Sequence, residues 1–408
     1  MKSLKFVVVL VLVSILVTAC QPSAAPSQAA VVSGAPDVCT SDAFGCAVFK
    51  PGEVVKLGMG APMTGGNGSY GVDISQGASI AVTDAGDVKG WKFALDAQDD
   101  GGTAEGGASV ANKFVTDPAI VAIAGHIFTD ATRAAMPIYE KAGIPMLSPS
   151  NTVADLTTLG SAVFNRIAFS DTNQGNAAGD YLFNTLKVKD LAILHDGSSY
   201  GKGLADTVAA QFAKDGGTVV ATQAITPGET DFTAVLSAVA SKNPGAVYFG
   251  GYAAEGSILV NQMKQTGLEN AVFFGDDGTY GVDFLTHVGA NGEGAFATIA
   301  PASPDSAAKT AFNAAYLAQF GKEAGSLSPY TWAGYDSAAI LANAVKAVAV
   351  VGSDGNLYVP RAALMAAVRA TKDYVGLSGT FTCQSNGECN AGLPQFVVVQ
   401  NGAWVAVQ

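Results

Sequence analysis

The chain has 408 residues, 49% hydrophobic and only 14% charged, with a formal net charge of −12. Its mean hydropathy of +0.29 leans toward a membrane protein, while its acidity argues against nucleic acid, whose binders need a positive footprint. Lys2 and Lys5 precede an apolar run, 6–17, interrupted only by Ser14. Twelve helical residues at about 1.5 Å each fall short of a bilayer core of about 30 Å, so the run reads as a secretory signal. Elsewhere the best apolar run, 338–351, is broken by Asn343 and Lys346, which argues against a polytopic membrane protein.

The signal ends in Val17-Thr18-Ala19-Cys20. This resembles the bacterial lipobox, whose cysteine is diacylated and becomes the new N-terminus. Residues 1–19 are therefore the expected lipoprotein signal and Cys20 the expected lipidation site. The bland alternative is an ordinary signal with a chance cysteine. Lipidation is favoured because residues 21–36 are rich in Ser, Ala and Pro, the composition of a flexible tether behind an anchor. The expected location is extracytoplasmic, anchored to the cell membrane, periplasmic or at the cell surface. Losing Lys2 and Lys5 leaves 20 basic against 34 acidic residues, a net charge of −14.

Four cysteines remain: Cys39, Cys46, Cys383 and Cys389. An even number in an oxidising compartment suggests two disulfides. Of the three pairings, Cys39–Cys46 and Cys383–Cys389 are favoured because each closes a short turn-like loop. A four-cysteine zinc site is the rival, but neither pair has C-x-x-C spacing, and no metal or cofactor is expected. Residues 20–50 are then a tether ending in a disulfide loop.

The body alternates strands and helices. Apolar runs at 54–59, 91–97, 120–124, 191–194, 246–249 and 271–274 read as buried parallel strands. Between 203 and 214, Leu204, Val208 and Phe212 share a helical face, and Gly216-Gly217 ends it. Between 231 and 241, Phe232, Val235, Leu236 and Val239 do the same, with Thr230 or Asp231 as the cap. Such alternation implies right-handed crossovers and a parallel α/β sheet that binds ligands at the carboxyl ends of its strands.

Two loops carry formal enzyme motifs. Gly66-Asn67-Gly68-Ser69-Tyr70-Gly71 is a G-x-G-x-x-G, with Asp99 and Asp100 ending the next strand. As a dinucleotide site it is weak: 48 glycines make chance matches common, and Gly71 to Asp99 is a long spacing. Gly197-Ser198-Ser199-Tyr200-Gly201 is a G-x-S-x-G in strand–turn–helix context, followed by acids such as Asp276 and Asp277 and by His287. A secreted serine hydrolase using Ser199 is thus an alternative. Against it, no HGGG-type oxyanion loop exists, and His126, His195 and His287 are scattered, each expected to be structural.

From about Val54 onward the chain resembles the leucine/isoleucine/valine-binding proteins, the type I periplasmic solute-binding components of ABC importers. The segments that carry the resemblance, in order, are VVKLGMGAPMTGGNGSYG, DAQDDGG, GHIFTDATRAAMPIYEKAGIPMLSPSNT, NRIAFSDTNQG, HDGSSYGKGLAD, ITPGETDF, YFGGYAAEG, FGDDGTYG and WAGYDS. No single motif is decisive; their order and spacing are specific. The resemblance implies two doubly wound parallel-sheet lobes joined by a three-crossover hinge, 51–167 plus 301–378 and 168–300 plus 379–408. Both formal enzyme motifs then become cleft loops, and Ser199 a turn residue.

The resemblance also implies a site. Thr129 matches a carboxylate-binding hydroxyl. Ser150, Asn151 and Thr152 match a loop opening a helix, whose N–H groups and Thr152 hydroxyl would hold a carboxylate. Asp277 matches a Glu that pairs with the ammonium, and Asp276 is expected as a solvated turn residue. Tyr70, Tyr200, Tyr252 and Tyr335 match an aromatic cage; singly, each tyrosine would read as core or rim packing. Three departures stand out: Asp for Glu at 277, a polar Ser150-Asn151 for a smaller apolar pair, and Phe128 where relatives can carry a disulfide cysteine. The implied function is capture of an amino acid, branched-chain or aliphatic, by a monomer that delivers it to membrane permease subunits without chemistry. A same-fold receptor for amides, urea or aromatic and organic acids is the alternative.

Overall fold

The structure, a computed structural model, describes residues 34–390 and 392–407. The signal, Cys20 and the tether up to residue 33 lie outside the described residues. Among the described residues no helix is long and apolar enough to cross a membrane.

Two sheets organise the chain. The six-stranded sheet runs Asp87–Val88, Trp91–Asp99, Val55–Ala61, Ile120–Ile123, Met146–Ser148, Phe164–Arg166; all neighbours pair in parallel except the short first strand. The seven-stranded sheet runs Ala403–Val407, Gln395–Gln400, Phe296–Ile299, Val272–Gly275, Ala246–Gly250, Asp190–His195, Thr218–Ala224. Its last five strands are parallel, and its first two form an antiparallel hairpin. All six strands expected from sequence are present. Two read so clearly because they are covered on both faces: Ile120–Ile123 and Ala246–Gly250 are buried at every position.

The helices follow their apolar spacing. Leu204, Val208 and Phe212 are fully buried on the helix Ser199–Lys214, and Gly216 follows it with φ +102°. The helix Thr233–Ala240 starts two residues later than expected, yet Asp231 still serves it: its Oδ1 accepts from the Thr233 N–H at 3.0 Å.

The expected disulfide loop is built into the fold. Cys46–Phe49 pairs antiparallel with Leu357–Pro360 in a three-stranded sheet. The Asp42 carboxylate accepts from the Ala362 and Ala363 N–H groups, which lack partners in the first turn of the helix Arg361–Arg369. Cys39–Cys46 and Cys383–Cys389 are both bonded, as expected.

Three segments carry the chain between the sheets, after Phe164–Arg166, after Phe296–Ile299, and before Gln395–Gln400. The third crossing lies later than the expected 378/379 boundary: Phe381 and Cys389 still pack in the core around Leu57, Leu147 and Leu341. Another apolar cluster runs from Phe114, Tyr139 and Phe164 to Leu191, Leu204 and Phe274, and so joins the two sheets.

Candidate functional site

Five strands of each sheet follow the order 2-1-3-4-5 when numbered along the chain. In that order the loops after strands 1 and 3 diverge and open a crevice at the carboxyl ends. Eight expected residues follow such ends: Tyr70, Thr129 and Ser150, Asn151 and Thr152 on one sheet, Tyr200, Tyr252 and Asp277 on the other. They line one cavity together with Ile127, Phe128, Gly278 and Tyr330. Its volume is about 20 Å³.

Five helices begin at this cavity: Gly68–Asp84, Thr129–Ala142, Ser199–Lys214, Ala253–Met263 and Thr331–Val348. Each carries a lining residue at its cap or first turn, namely Tyr70, Thr129, Tyr200, Tyr252 and Tyr330. Helix starts hold unpaired N–H groups and a partial positive charge, which favour an anion. Among the described residues no Lys, Arg or His lines the cavity.

The opposite charge comes from Asp277, 4% exposed. Its Oδ1 accepts from Gln174 Nε2 at 2.6 Å and from the Tyr200 hydroxyl at 2.7 Å. Its Oδ2 accepts from the Tyr330 hydroxyl at 2.9 Å, and its carbonyl from the Tyr70 hydroxyl at 2.6 Å. A carboxylate offers about four acceptor sites; three donors leave one for a cation. Burial pushes Asp277 above the usual carboxylate range, and the Gln174, Tyr200 and Tyr330 donors pull it back. Burial also raises the Tyr70, Tyr200, Tyr252 and Tyr330 hydroxyls well above their ordinary values, so they remain donors.

On the facing wall, Thr129 Oγ1 donates to Asn151 Oδ1 at 3.2 Å, and Ser150 Oγ to the Ile127 carbonyl at 2.8 Å. The Asn151 amide is committed to bracing: Nδ2 donates to the His126 carbonyl, Thr132 Oγ1 and Ser148 Oγ. Its expected contribution to a polar pocket is therefore indirect. The loop opens only a single 3-10 turn, Ala154–Thr157, not the helix expected from sequence. The helix start on this wall is instead that of Thr129–Ala142.

Asp276 corrects another expectation. It is fully buried rather than solvated: Oδ2 accepts from the Gly251 N–H at 2.9 Å, and Oδ1 has no partner among the described residues. Burial, then the adjacent Asp277 carboxylate, raise its pKa well above the ordinary value. Asp171 is buried beside them, with neither oxygen partnered among the described residues; burial pushes it up to about 7.

Tyr335 does not join the site. Its hydroxyl donates to Asp84 Oδ2 at 3.1 Å, and its ring meets Phe312 edge-on at 5.2 Å. Tyr330, on the cap of the same helix, lines the cavity instead. Sequence reasoning also missed Gln174 and Arg166. Arg166, 1% exposed, pairs with Glu388 and donates Nη1 to the Val153 carbonyl at 2.6 Å, tying the 150–152 loop to the third crossing. The visible signal for Tyr330 was an aromatic directly before an apolar-periodic helix, the position also held by Tyr252.

Both formal enzyme motifs serve packing. A Cβ on Gly71 would run into the Pro62 carbonyl, so the glycine permits close approach of helix and preceding chain. Ser198, not Ser199, has the defined role in the second loop: its Oγ donates to Asp196 Oδ1 at 2.6 Å and accepts from the Gly201 N–H at 2.9 Å. The histidines are engaged elsewhere, His126 with Asp100 and Tyr139, His195 with the Gly197 N–H, and His287 with the Asp283 carbonyl.

A profile described as periplasmic binding protein matches residues 54–403. An "amino acid binding protein" of Pseudomonas aeruginosa is 37% identical over 238 residues, 58% of this chain and 63% of that protein, so the match spans just under two thirds of that relative. "Leu/Ile/Val-binding protein homolog 3" of Brucella melitensis is 34% identical over 280 residues, 68% of this chain and 76% of that one. The crystal structure of the branched-chain amino acid transporter substrate binding protein LivJ from Streptococcus pneumoniae, in complex with isoleucine, superposes with a TM-score of 0.76 at 26% identity, covering 87% of this chain and 99% of that one.

Proposed function

The chain belongs to the periplasmic binding protein family, and from that premise we propose that it is an extracytoplasmic solute-binding protein of an ABC importer. It captures an amino acid with an aliphatic side chain between its two sheets and delivers it to a membrane permease. It performs no chemistry on the ligand, acts as a monomer, and is held at the membrane through Cys20. The two sheets are the two lobes, and the three crossings are the hinge.

The observation that carries this reading is Asp277. It is a buried carboxylate with one acceptor site left, facing a wall of hydroxyls and helix starts. That pairing of one full negative charge with partial positive charge complements an α-ammonium and an α-carboxylate. The ring of Tyr252 stacks on Phe128 across the cavity, with centroids 4.3 Å apart. A 20 Å³ cavity holds about one water, so an amino acid enters only when these walls part by hinge motion.

A thermal-shift screen across amino acids, amides and organic acids tests the reading. Leucine, isoleucine or valine at about 100 times Kd should stabilise by about 2.7 kcal/mol. Stabilisation by amides or aromatic acids, with none by α-amino acids, would favour the alternative receptor.

A further inference from the structure

A second, larger cavity lies behind the first. Its volume is about 240 Å³. All three crossings wall it, through Ile167 and Phe169, Ile299 and Pro301, and Phe381 and Gln395. Tyr330 lines both cavities and is the partition between them.

Its chemistry is one-sided. The lining is mainly aliphatic, aromatic and proline, and Lys309 is its only charged side chain among the described residues. Lys309 Nζ sits 4.4 Å from the ring centroid of Trp332 and donates to the carbonyl and hydroxyl of Ser303. It forms no ion pair among the described residues. Asp305 is the negative charge that acts on it, and burial lowers its pKa. A half-buried ammonium at an apolar cavity with no carboxylate in the wall is complementary to one anionic group on an apolar body.

We propose that this hinge cavity is a second ligand site, for a compact apolar monocarboxylate whose carboxylate meets Lys309. Its occupant contacts all three crossings in the arrangement that also forms the first cavity. Binding that selects one arrangement favours every other ligand of the same arrangement. Occupancy therefore tightens the first site, with Tyr330 as the shared wall. The coupling rests on the proposed function; the second site itself does not.

The test uses cyclohexanecarboxylate titrated calorimetrically into the full-length protein already saturated with leucine. Saturable binding that adds to leucine is expected, with Lys309→Gln weakening it by about tenfold or more. Cyclohexanecarboxamide should bind native and K309Q protein equally. A second variant, Ala302→Trp, narrows the mouth without touching the first cavity and should also abolish probe binding. Leucine binding in the absence of probe should be unchanged in K309Q. The site is overturned if the probe competes with leucine, if no saturable binding appears up to about 10 mM, or if K309Q binds it as well as native protein does. If leucine fails to bind at all, the Lys309-dependence of probe binding still decides this proposal alone.

Discussion

Replacing Asp277 with Asn is the sharpest test of the amino-acid site. Asparagine keeps the shape and one acceptor oxygen, which can still receive the Gln174 and Tyr200 donors at Oδ1. Its amide can face the Tyr330 hydroxyl, which is able to accept. What disappears is the charge, in a residue only 4% exposed. A hydrogen bond to a charged group is worth about 1.5–3 kcal/mol, and breaking a buried charge pair costs about 3–5 kcal/mol. Calorimetry should therefore show leucine binding weakened about 10- to 1,000-fold. 4-Methylpentanoate, which is leucine without its ammonium, supplies the control. It should bind native protein poorly and gain or hold affinity in the variant, giving a coupling of about 2 kcal/mol or more between amine and Asp277. If D277N binds leucine within about threefold of native protein while its unfolding is unchanged, the ammonium is not paired with Asp277 and the reasoning fails.

Tyr330→Phe removes one of the three donors to Asp277 and should weaken leucine by about 1 kcal/mol, about fivefold, while Tyr335→Phe leaves calorimetric affinity unchanged. Asp171 is raised from 3.8 to about 7 in the fold, so between those values the folded state keeps a proton that the unfolded chain has released. Its stabilising contribution is complete below pH 4 and is lost as pH rises to about 7, up to about 4 kcal/mol. Urea titrations should show Asp171→Asn equal to native protein at the acid end and more stable at about pH 8. Glu388→Ala strands the buried Arg166 and should cost about 3 kcal/mol in the same assay, with a loss of leucine affinity through the 150–152 loop.

What the sequence made legible was whatever depends on local pattern and on burial from both sides. Runs such as 120–124 and 246–249 have no polar face to confuse them, and their loops fall at carboxyl ends by topology alone. Long-range pairing left no local mark. Cys46–Phe49 becomes a strand only because Leu357–Pro360, more than 300 residues away, lies beside it. The Tyr330 and Tyr335 confusion has a helical origin. Five residues of helix turn through about 500°, or 140° beyond a full circle, so the second tyrosine faces Asp84 and Phe312 rather than the cavity. Asp276 looked like a turn residue because nothing local shows that the Gly251 N–H will close over it from the neighbouring loop.

The electrostatics of the cavity also limit what it can hold. No cationic side chain lines it among the described residues, so a ligand carboxylate would meet only helix starts, hydroxyls and tyrosines. Each helix start contributes about half an elementary charge, spread over its first turn. Asp277 is the only carboxylate in the lining among the described residues. A zwitterion sets its carboxylate at the helix starts and its ammonium at Asp277, and its side chain meets no further charged group in the lining. Glutamate would bring a second carboxylate with no cationic side chain to meet it, and lysine a second ammonium with no second carboxylate in the lining among the described residues. Both should bind more weakly than leucine by far more than size alone accounts for. The discrimination should persist at high salt, because the charges that produce it are buried and poorly screened.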